Sequence, residues 1–372
     1  MANIIKFIKK YLQLHNFKRQ LSSLPIEIKN GSWHIDDDLF WQSAENKKKV
    51  ESLFFLFYQS HKLTDKSWRT QVAKLIFKVL AISLFRVSFG SAKGPSVIFK
   101  SRGGALKLFD FDNYEVITLI SGKTADNLNY ARALPIFEYF PTNTFTIDQS
   151  LRLKRNLCIK REPLVDVPCM GMNSIPDQIQ IMKKICSTYI EYAKHHAMAP
   201  TPNLFEGCLD EVADYLTYDA RAQCLMMKDR YLEFIQTAHT LPAHLDLNVA
   251  NIINNNGDLL VLDIEDAGLH LPITYDMNYL LLIEVYQDRS MHLLEEVLRD
   301  ECGTGYSDLM QLTTRGKTSS QLGVSFFVNF ILHESRYVSV KLLKNWETGQ
   351  AQRNWEKLAR CLPGWPFVYN RL

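Results

Sequence analysis

A chain of 372 residues can bury one large core or two modest ones, and 47% hydrophobic, 22% charged and 12% aromatic residues exclude a disordered or fibrous protein. A formal net charge of +3 is too small to imply a nucleic-acid partner, because duplex binders present a strongly basic face. The charge is uneven all the same: residues 1–30 hold six Lys/Arg against the single acid Glu27, so they carry +5 and the remainder −2.

The opening segment sets Ile4, Ile5, Ile8, Tyr11 and Leu12 at helical spacing with Lys6, Lys9 and Lys10 on the flanks, which predicts a basic amphipathic helix. Two uses stay open for it: residues 1–20 lie on an anionic membrane surface, or the helix docks on the body with a solvated basic edge. Residues 44–89 again show helical periodicity, with Val50, Leu53, Phe54 and Phe57 on one face and Val72, Leu75, Ile76, Val79 and Leu80 on another. Residues 1–90 are therefore expected to form a helical extension. Its most apolar stretch, residues 75–89, is broken by Lys78 and Arg86, and no apolar run reaches 18 residues, so a buried helix is expected rather than a membrane span.

The text changes near Gly90, where Gly and Ser punctuate period-two runs. Residues 96–120 divide into three strands joined by Gly103-Gly104 and by Asp112-Asn113; a helical stretch follows over 125–140, then two more strands near 145–147 and 157–161. Together these make one strand-rich α+β lobe over residues 91–168. A helical lobe is expected over 169–372, with long periodic segments at 177–195 and 211–237 and further helices from Tyr275 onward. Within it, Asn255-Asn256-Gly257-Asp258 between two apolar runs is a hairpin signal.

Seven cysteines are scattered without any C-x-x-C pair, and no signal peptide precedes them, so buried thiols in a reducing, cytoplasmic setting are expected rather than disulfides or zinc. No G-x-G-x-x-G, P-loop, G-x-S-x-G or H-E-x-x-H pattern occurs, which disfavours dinucleotide, Walker-type, hydrolase-elbow and zincin chemistry. His195-His196 ends a helical segment with no third ligand nearby, and Trp346, Trp355 and Trp365 read as helix-packing residues.

The chemistry concentrates in LPAHLDLNVANIINNNGDLLVLDIEDAG, residues 241–268. Asp246 and Asn251 precede the hairpin, and Asp263 and Glu265 follow its second strand. A chain doubling back on itself can bring Asp246, Asn251 and Asp263 to one edge, where their oxygens can share a hard divalent cation such as magnesium. An acid left off the metal can accept a proton from an incoming hydroxyl. The same acids and amides also fit plain turn and capping roles.

His244-x-Asp246-x-x-x-x-Asn251 followed by Asp263-x-Glu265 resembles the catalytic segment of kinase-like phosphotransferases, in the branch of aminoglycoside, choline and bacterial sugar or lipopolysaccharide kinases. The resemblance implies a bilobal protein-kinase-like fold, with a small antiparallel-sheet lobe and a large helical lobe behind the N-terminal helical extension. It implies ATP and Mg2+ as cofactors, Asp246 as catalytic base, His244 as loop support, and Asn251, Asp263 and Glu265 at the metal. Asp276 corresponds to an acid that braces the catalytic loop. For the nucleotide it implies a phosphate-covering turn at Gly103 and Gly104 and a hinge at Glu162 and Leu164. The acceptor it implies is a small-molecule or glycan hydroxyl, in surface polysaccharide or lipopolysaccharide metabolism.

The sequence departs from that pattern at three places. Thr118 stands where the third strand should carry a phosphate-binding lysine, and the following helix has no acid at the partner position, Glu138 being the nearest. Lys107 on the preceding strand and Lys123 beyond are candidate substitutes. Leu245 replaces the usual glycine of the loop. These losses keep a second reading open, a non-catalytic pseudokinase that binds nucleotide or acts as a scaffold, and a third, a peripheral membrane adaptor working through residues 1–20.

Overall fold

The chain is an α+β protein in a computed structural model that describes residue 29 and residues 33–36, 39–42, 93–100, 106–121, 146–147, 157–164, 169–255, 257–262, 269–287, 292–299, 305–314, 322–341, 349–362 and 364–367. It divides into two units, Met1–Leu128 with Asn143–Pro168 and Asn129–Thr142 with Cys169–Leu372.

The first unit holds a seven-stranded antiparallel sheet. Its strands are β1 (Trp33–Asp36), β2 (Leu39–Gln42), β3 (Val97–Lys100), β4 (Leu106–Asp110), β5 (Glu115–Ser121), β6 (Thr146–Ile147) and β7 (Leu157–Pro163), in the order β1-β2-β3-β4-β5-β7-β6. The five strands expected from the sequence over 96–161 are all present. Alternation decides the faces: Leu106, Leu108 and Asp110 are buried while Lys107 and Phe109 are half-buried. Asp110 shapes the turn into β5, where its Oδ1 accepts from the N–H groups of Asp112 and Asn113, both at 3.0 Å, and its Oδ2 from Asn113 Nδ2 at 2.8 Å.

Within the first ninety residues, expected to form a helical extension, the described segments are strands. Trp33–Asp36 and Leu39–Gln42 pair as strands, with Phe40 opposite Ile98 on β3. A bare β3 edge would leave its backbone groups unpaired, and this ribbon supplies the partners. The helical readings of residues 1–12, 44–89 and 125–140 lie outside the described residues.

In the second unit, α1 (Ile175–His196) begins where Ser174 caps it, its hydroxyl accepting from the Asp177 N–H at 3.4 Å and donating to the Asp177 carboxylate at 2.6 Å. Its buried stripe runs Ile181, Met182, Ile185, Cys186, Tyr189, Tyr192 and Ala193, at spacings of three and four. The periodic segment expected at 211–237 is three helices, α2 (Cys208–Ala213), α3 (Tyr218–Met226) and α4 (Lys228–Thr237). The breaks turn Leu216 and Met227 inward, so tertiary burial overrides a locally continuous pattern.

The predicted hairpin is β9 (Ile252–Asn255) with β10 (Asp258–Val261), and Gly257 takes φ +97°, open to glycine without strain. A second pair, β8 (Thr240–Ala243) with β11 (Leu269–Pro272), had no signal in the sequence, being four residues long with a proline in each strand. Five more helices follow: α5 (Tyr275–Tyr286), α6 (His292–Arg299), α7 (Tyr306–Thr314), α8 (Leu322–Lys341) and α9 (Gln350–Cys361). Every residue of α5 except Glu284 is buried, the mark of a helix at the centre of its unit. Buried polar bonds fix it to α8: Asn278 Nδ2 donates to Ser325 Oγ at 2.7 Å, Asn329 Nδ2 to the Tyr275 carbonyl at 2.8 Å, and Tyr306 bonds Asn278 from α7. Trp355 and Trp365 pack edge-on, 5.5 Å between ring centroids, beside Phe327 and Phe330, as the aromatic content near the carboxyl end suggested; Trp346 is outside the described residues. No helix among the described residues is long and apolar enough to cross a membrane.

Candidate active site

The segment His244–Asn251 leaves β8 and enters β9, and nearly every polar group in it has a named partner. Asp276, in the first turn of α5 and 2% exposed, accepts from three donors. They are the backbone N–H of His244 at 2.7 Å, that of Leu245 at 3.0 Å, and the hydroxyl of Tyr189 on α1 at 2.7 Å. The brace implied for Asp276 is present. Tyr189 was not foreseen, since only its place in the α1 stripe marked it. Burial first, then the Asp276 carboxylate, holds the Tyr189 phenol well above its ordinary range.

Leu245 explains how the loop does without glycine. Its φ is +73°, in the left-handed region, and its side chain is 5% exposed. A leucine there costs on the order of 1–3 kcal/mol of backbone strain, offset by burial of the side chain and by the Asp276 bond to its N–H.

His244 is fully buried and ties the two ends of the motif together. Its Nδ1 accepts the Asp246 N–H at 3.3 Å, which leaves the ring proton on Nε2, 2.9 Å from the Leu262 carbonyl. The Leu262 N–H donates to the Asn251 carbonyl at 2.8 Å. Both backbone groups of Leu262 are thus fastened to the loop, and Asp263 is the next residue along. Asp263 and Glu265 themselves lie outside the described residues.

Asp246 is half-buried at the centre of the loop. Its Oδ1 accepts from Asn248 Nδ2 at 3.1 Å and from the Tyr279 hydroxyl at 3.2 Å, and its Oδ2 from Asn251 Nδ2 at 3.2 Å. Asn248 and Asn251 also reach the Asp246 carbonyl, at 3.1 and 2.9 Å. With Nδ2 committed, the Asn251 carboxamide keeps a hard oxygen, Oδ1, that accepts no hydrogen bond from the described residues. One such oxygen beside a half-buried carboxylate suits magnesium, which takes few protein ligands and keeps its waters. Asn248 and Tyr279 were missed from sequence, Asn248 because it read as a spacer and Tyr279 because only tertiary structure brings it here.

The structure brings His244, Asp246, Asn251 and Asp276 together. In the other unit, Lys107 stands directly opposite Thr118, and Thr118 opposite Lys160, in one cross-strand row on one face of the sheet. Thr118 is fully buried, and its hydroxyl has no hydrogen-bond partner among the described residues. Glu162 stands opposite Val116, and the Leu164 N–H donates to the Tyr114 carbonyl at 2.7 Å, so that donor is already engaged. Gly103, Gly104, Lys123 and Glu138 lie outside the described residues, as does the segment 1–20.

Neither the protein-family models nor the sequences of curated proteins yield a match. Solved structures overlap in part. A thermostable mutant of the aminoglycoside phosphotransferase APH(4)-Ia, in ternary complex with ADP and hygromycin B, gives a TM-score of 0.45 at 11% identity, over 70% of this chain and 90% of its own. Amicoumacin kinase hAmiN, in complex with AMP-PNP, Ca2+ and Ami, gives 0.43 at 11%, over 73% and 85%. Choline kinase LicA from Streptococcus pneumoniae gives 0.42 at 10%, over 69% and 89%.

Proposed function

We propose that this chain is an ATP- and Mg2+-dependent phosphotransferase of the kinase-like type, moving the γ-phosphate to a hydroxyl of a small-molecule or glycan acceptor. The observation that carries the reading is the braced loop. Asp246 presents a half-buried carboxylate from a backbone held by Asp276 and by His244, and the Asn251 carboxamide beside it has its Nδ2 engaged and its Oδ1 without a hydrogen bond from the described residues. Turn or capping residues alone would not need a buried carboxylate one helix away to hold their backbone.

In this reading the acceptor oxygen attacks the γ-phosphorus, the bond to the β-phosphate oxygen breaks to release ADP, and the acceptor proton passes to Asp246 and then to water. Asn251 and Asp263, with Glu265 beside them, would hold the magnesium, which neutralises phosphate charge when bound. His244 positions the loop. In the first unit, Gly103 and Gly104 would cover the phosphates, the segment of Glu162 and Leu164 would hold the adenine through groups other than the engaged Leu164 N–H, and Lys107, one strand from Thr118, would supply the phosphate-binding cation. Opposed residues in an antiparallel pair have Cβ atoms about 5 Å apart, a gap that a lysine stem spans. Acceptors of surface-polysaccharide or lipopolysaccharide type, on the cytoplasmic side where ATP is present, are the first to assay.

The test is Asp246→Asn, which keeps the size of the side chain and removes its basicity. ATP consumption against sugar, glycan and amino-alcohol acceptors should fall by about 100-fold or more while nucleotide affinity is retained. Wild-type turnover in this variant would remove Asp246 from the role of base. A second reading is favoured by one observation, the uncharged, buried Thr118 at the place of the strand lysine: a nucleotide-binding or scaffold module without turnover. Thermal shift with ATP, with and without magnesium, separates the two, since binding without consumption supports the scaffold.

A further inference from the structure

Tyr279 lies one turn along α5 from Asp276, so the helix that braces the loop backbone also reaches its carboxylate. The phenol is 2% exposed, and its hydroxyl donates to Asp246 Oδ1 at 3.2 Å. The ring is held on both sides, parallel to Tyr275 at 6.5 Å between centroids with 2° between planes, and tilted against His333 of α8 at 5.0 Å. Asn278, its neighbour on the helix, is bonded to Ser325 and Tyr306. The hydroxyl therefore stands on a fixed body, whereas Asn248 and Asn251, which also donate to the carboxylate, belong to the same loop as Asp246 and move with it.

We propose that Tyr279 is a positioning residue of the site: a rigid phenol, supplied from outside the loop, that sets the rotation of the Asp246 carboxylate so that one oxygen faces the acceptor hydroxyl. The kinetic consequence rests on the phosphotransferase reading. A carboxylate whose orientation is set before the acceptor arrives need not be organised during proton transfer, and small misplacement of a reacting group costs up to about 100-fold in rate. Tyr279 touches neither phosphate nor acceptor in this scheme, so its loss should slow the chemical step and leave binding alone.

The experiment compares wild type, Asp246→Asn, Tyr279→Phe and Tyr279→Leu, all as the full chain, by ATP consumption and thermal unfolding. Phenylalanine keeps the ring and its packing on Tyr275 and His333 and removes only the hydroxyl. The expected result is a kcat lower by about 10-fold, with KM for ATP and for the acceptor and the melting temperature near wild type. Leucine removes the ring and should lower the melting temperature as well. If Tyr279 only fills space, the phenylalanine variant matches wild type in kcat, and the proposal falls while the phosphotransferase reading stands. A phenylalanine variant that raises both KM values at unchanged kcat overturns it equally. A wild-type protein with no turnover on any acceptor overturns the phosphotransferase reading, and the positioning role with it; that failure shows in the wild-type arm and not in the variants.

Discussion

Replacing Asp276 with alanine strands three donors at once. The N–H groups of His244 and Leu245 and the Tyr189 hydroxyl would all face a small apolar void, and all three bonds are 3.0 Å or shorter. Each buried donor left without an acceptor costs about 1–3 kcal/mol, so the variant should lose about 4 kcal/mol after partial relaxation. For a unit of this size, that corresponds to a melting temperature lower by about 10 °C. Tyr189→Phe removes one donor together with its need for a partner and should cost only about 1 kcal/mol. The double variant then loses less than the sum of the single ones, because phenylalanine withdraws a group that alanine would have stranded. The coupling should be about 1–2 kcal/mol, read from urea unfolding followed by tryptophan fluorescence. Asp276→Ala should also depress turnover, since Leu245 loses its tether. A loss under about 1 kcal/mol for Asp276→Ala, or strictly additive variants, would refute the brace.

At Leu245 the usual order of substitutions should invert. Leu245→Gly loses a buried side chain but relieves the left-handed backbone, whereas Leu245→Ala loses most of the side chain and keeps the strain; glycine should therefore be more stable than alanine by about 1 kcal/mol in urea unfolding. Lys107→Ala should weaken ATP binding by about 10-fold or more in a titration, the worth of one charge-assisted hydrogen bond, and an unchanged affinity would remove it from the nucleotide site. The raised Tyr189 pKa has a stability signature. The folded state holds the phenolic proton more tightly than the unfolded chain, so this contribution is whole below the ordinary value of 10.0 and is lost as pH rises beyond it. The stability advantage of wild type over Tyr189→Phe should therefore shrink between pH 9 and pH 11, to be measured by urea unfolding at both.

The parts of this protein legible in its sequence are those where short-range chemistry decides. Period-two alternation located β3, β4 and β5, and the Asn-Asn-Gly-Asp run located the β9–β10 hairpin, because both signals reside in neighbouring residues. The spacing from His244 to Asn251 marked the loop, and the structure joins those residues by direct bonds. Other features escaped. β8 and β11 are too short and too proline-bearing to read, and their pairing exists only because the body holds the two segments together. The breaks between α2, α3 and α4 follow the burial of Leu216 and Met227, with no glycine or proline to announce them. Tyr189 bonds Asp276 from 87 residues away and Tyr279 bonds Asp246 from 33, and no local pattern reports a contact of that range.

The left-handed turn at Leu245 says where the shape of this loop is stored. A glycine would adopt that turn by its own preference, in a peptide as in a protein; a leucine adopts it only under compulsion from α1 and α5. Cut free of those helices, residues 241–268 would abandon the turn, and grafting them onto another scaffold would transfer the letters of the motif without its geometry. Whatever chemistry Asp246 performs is therefore switched on by completion of folding around it, and partly folded forms of the chain, lacking the compulsion, should be silent.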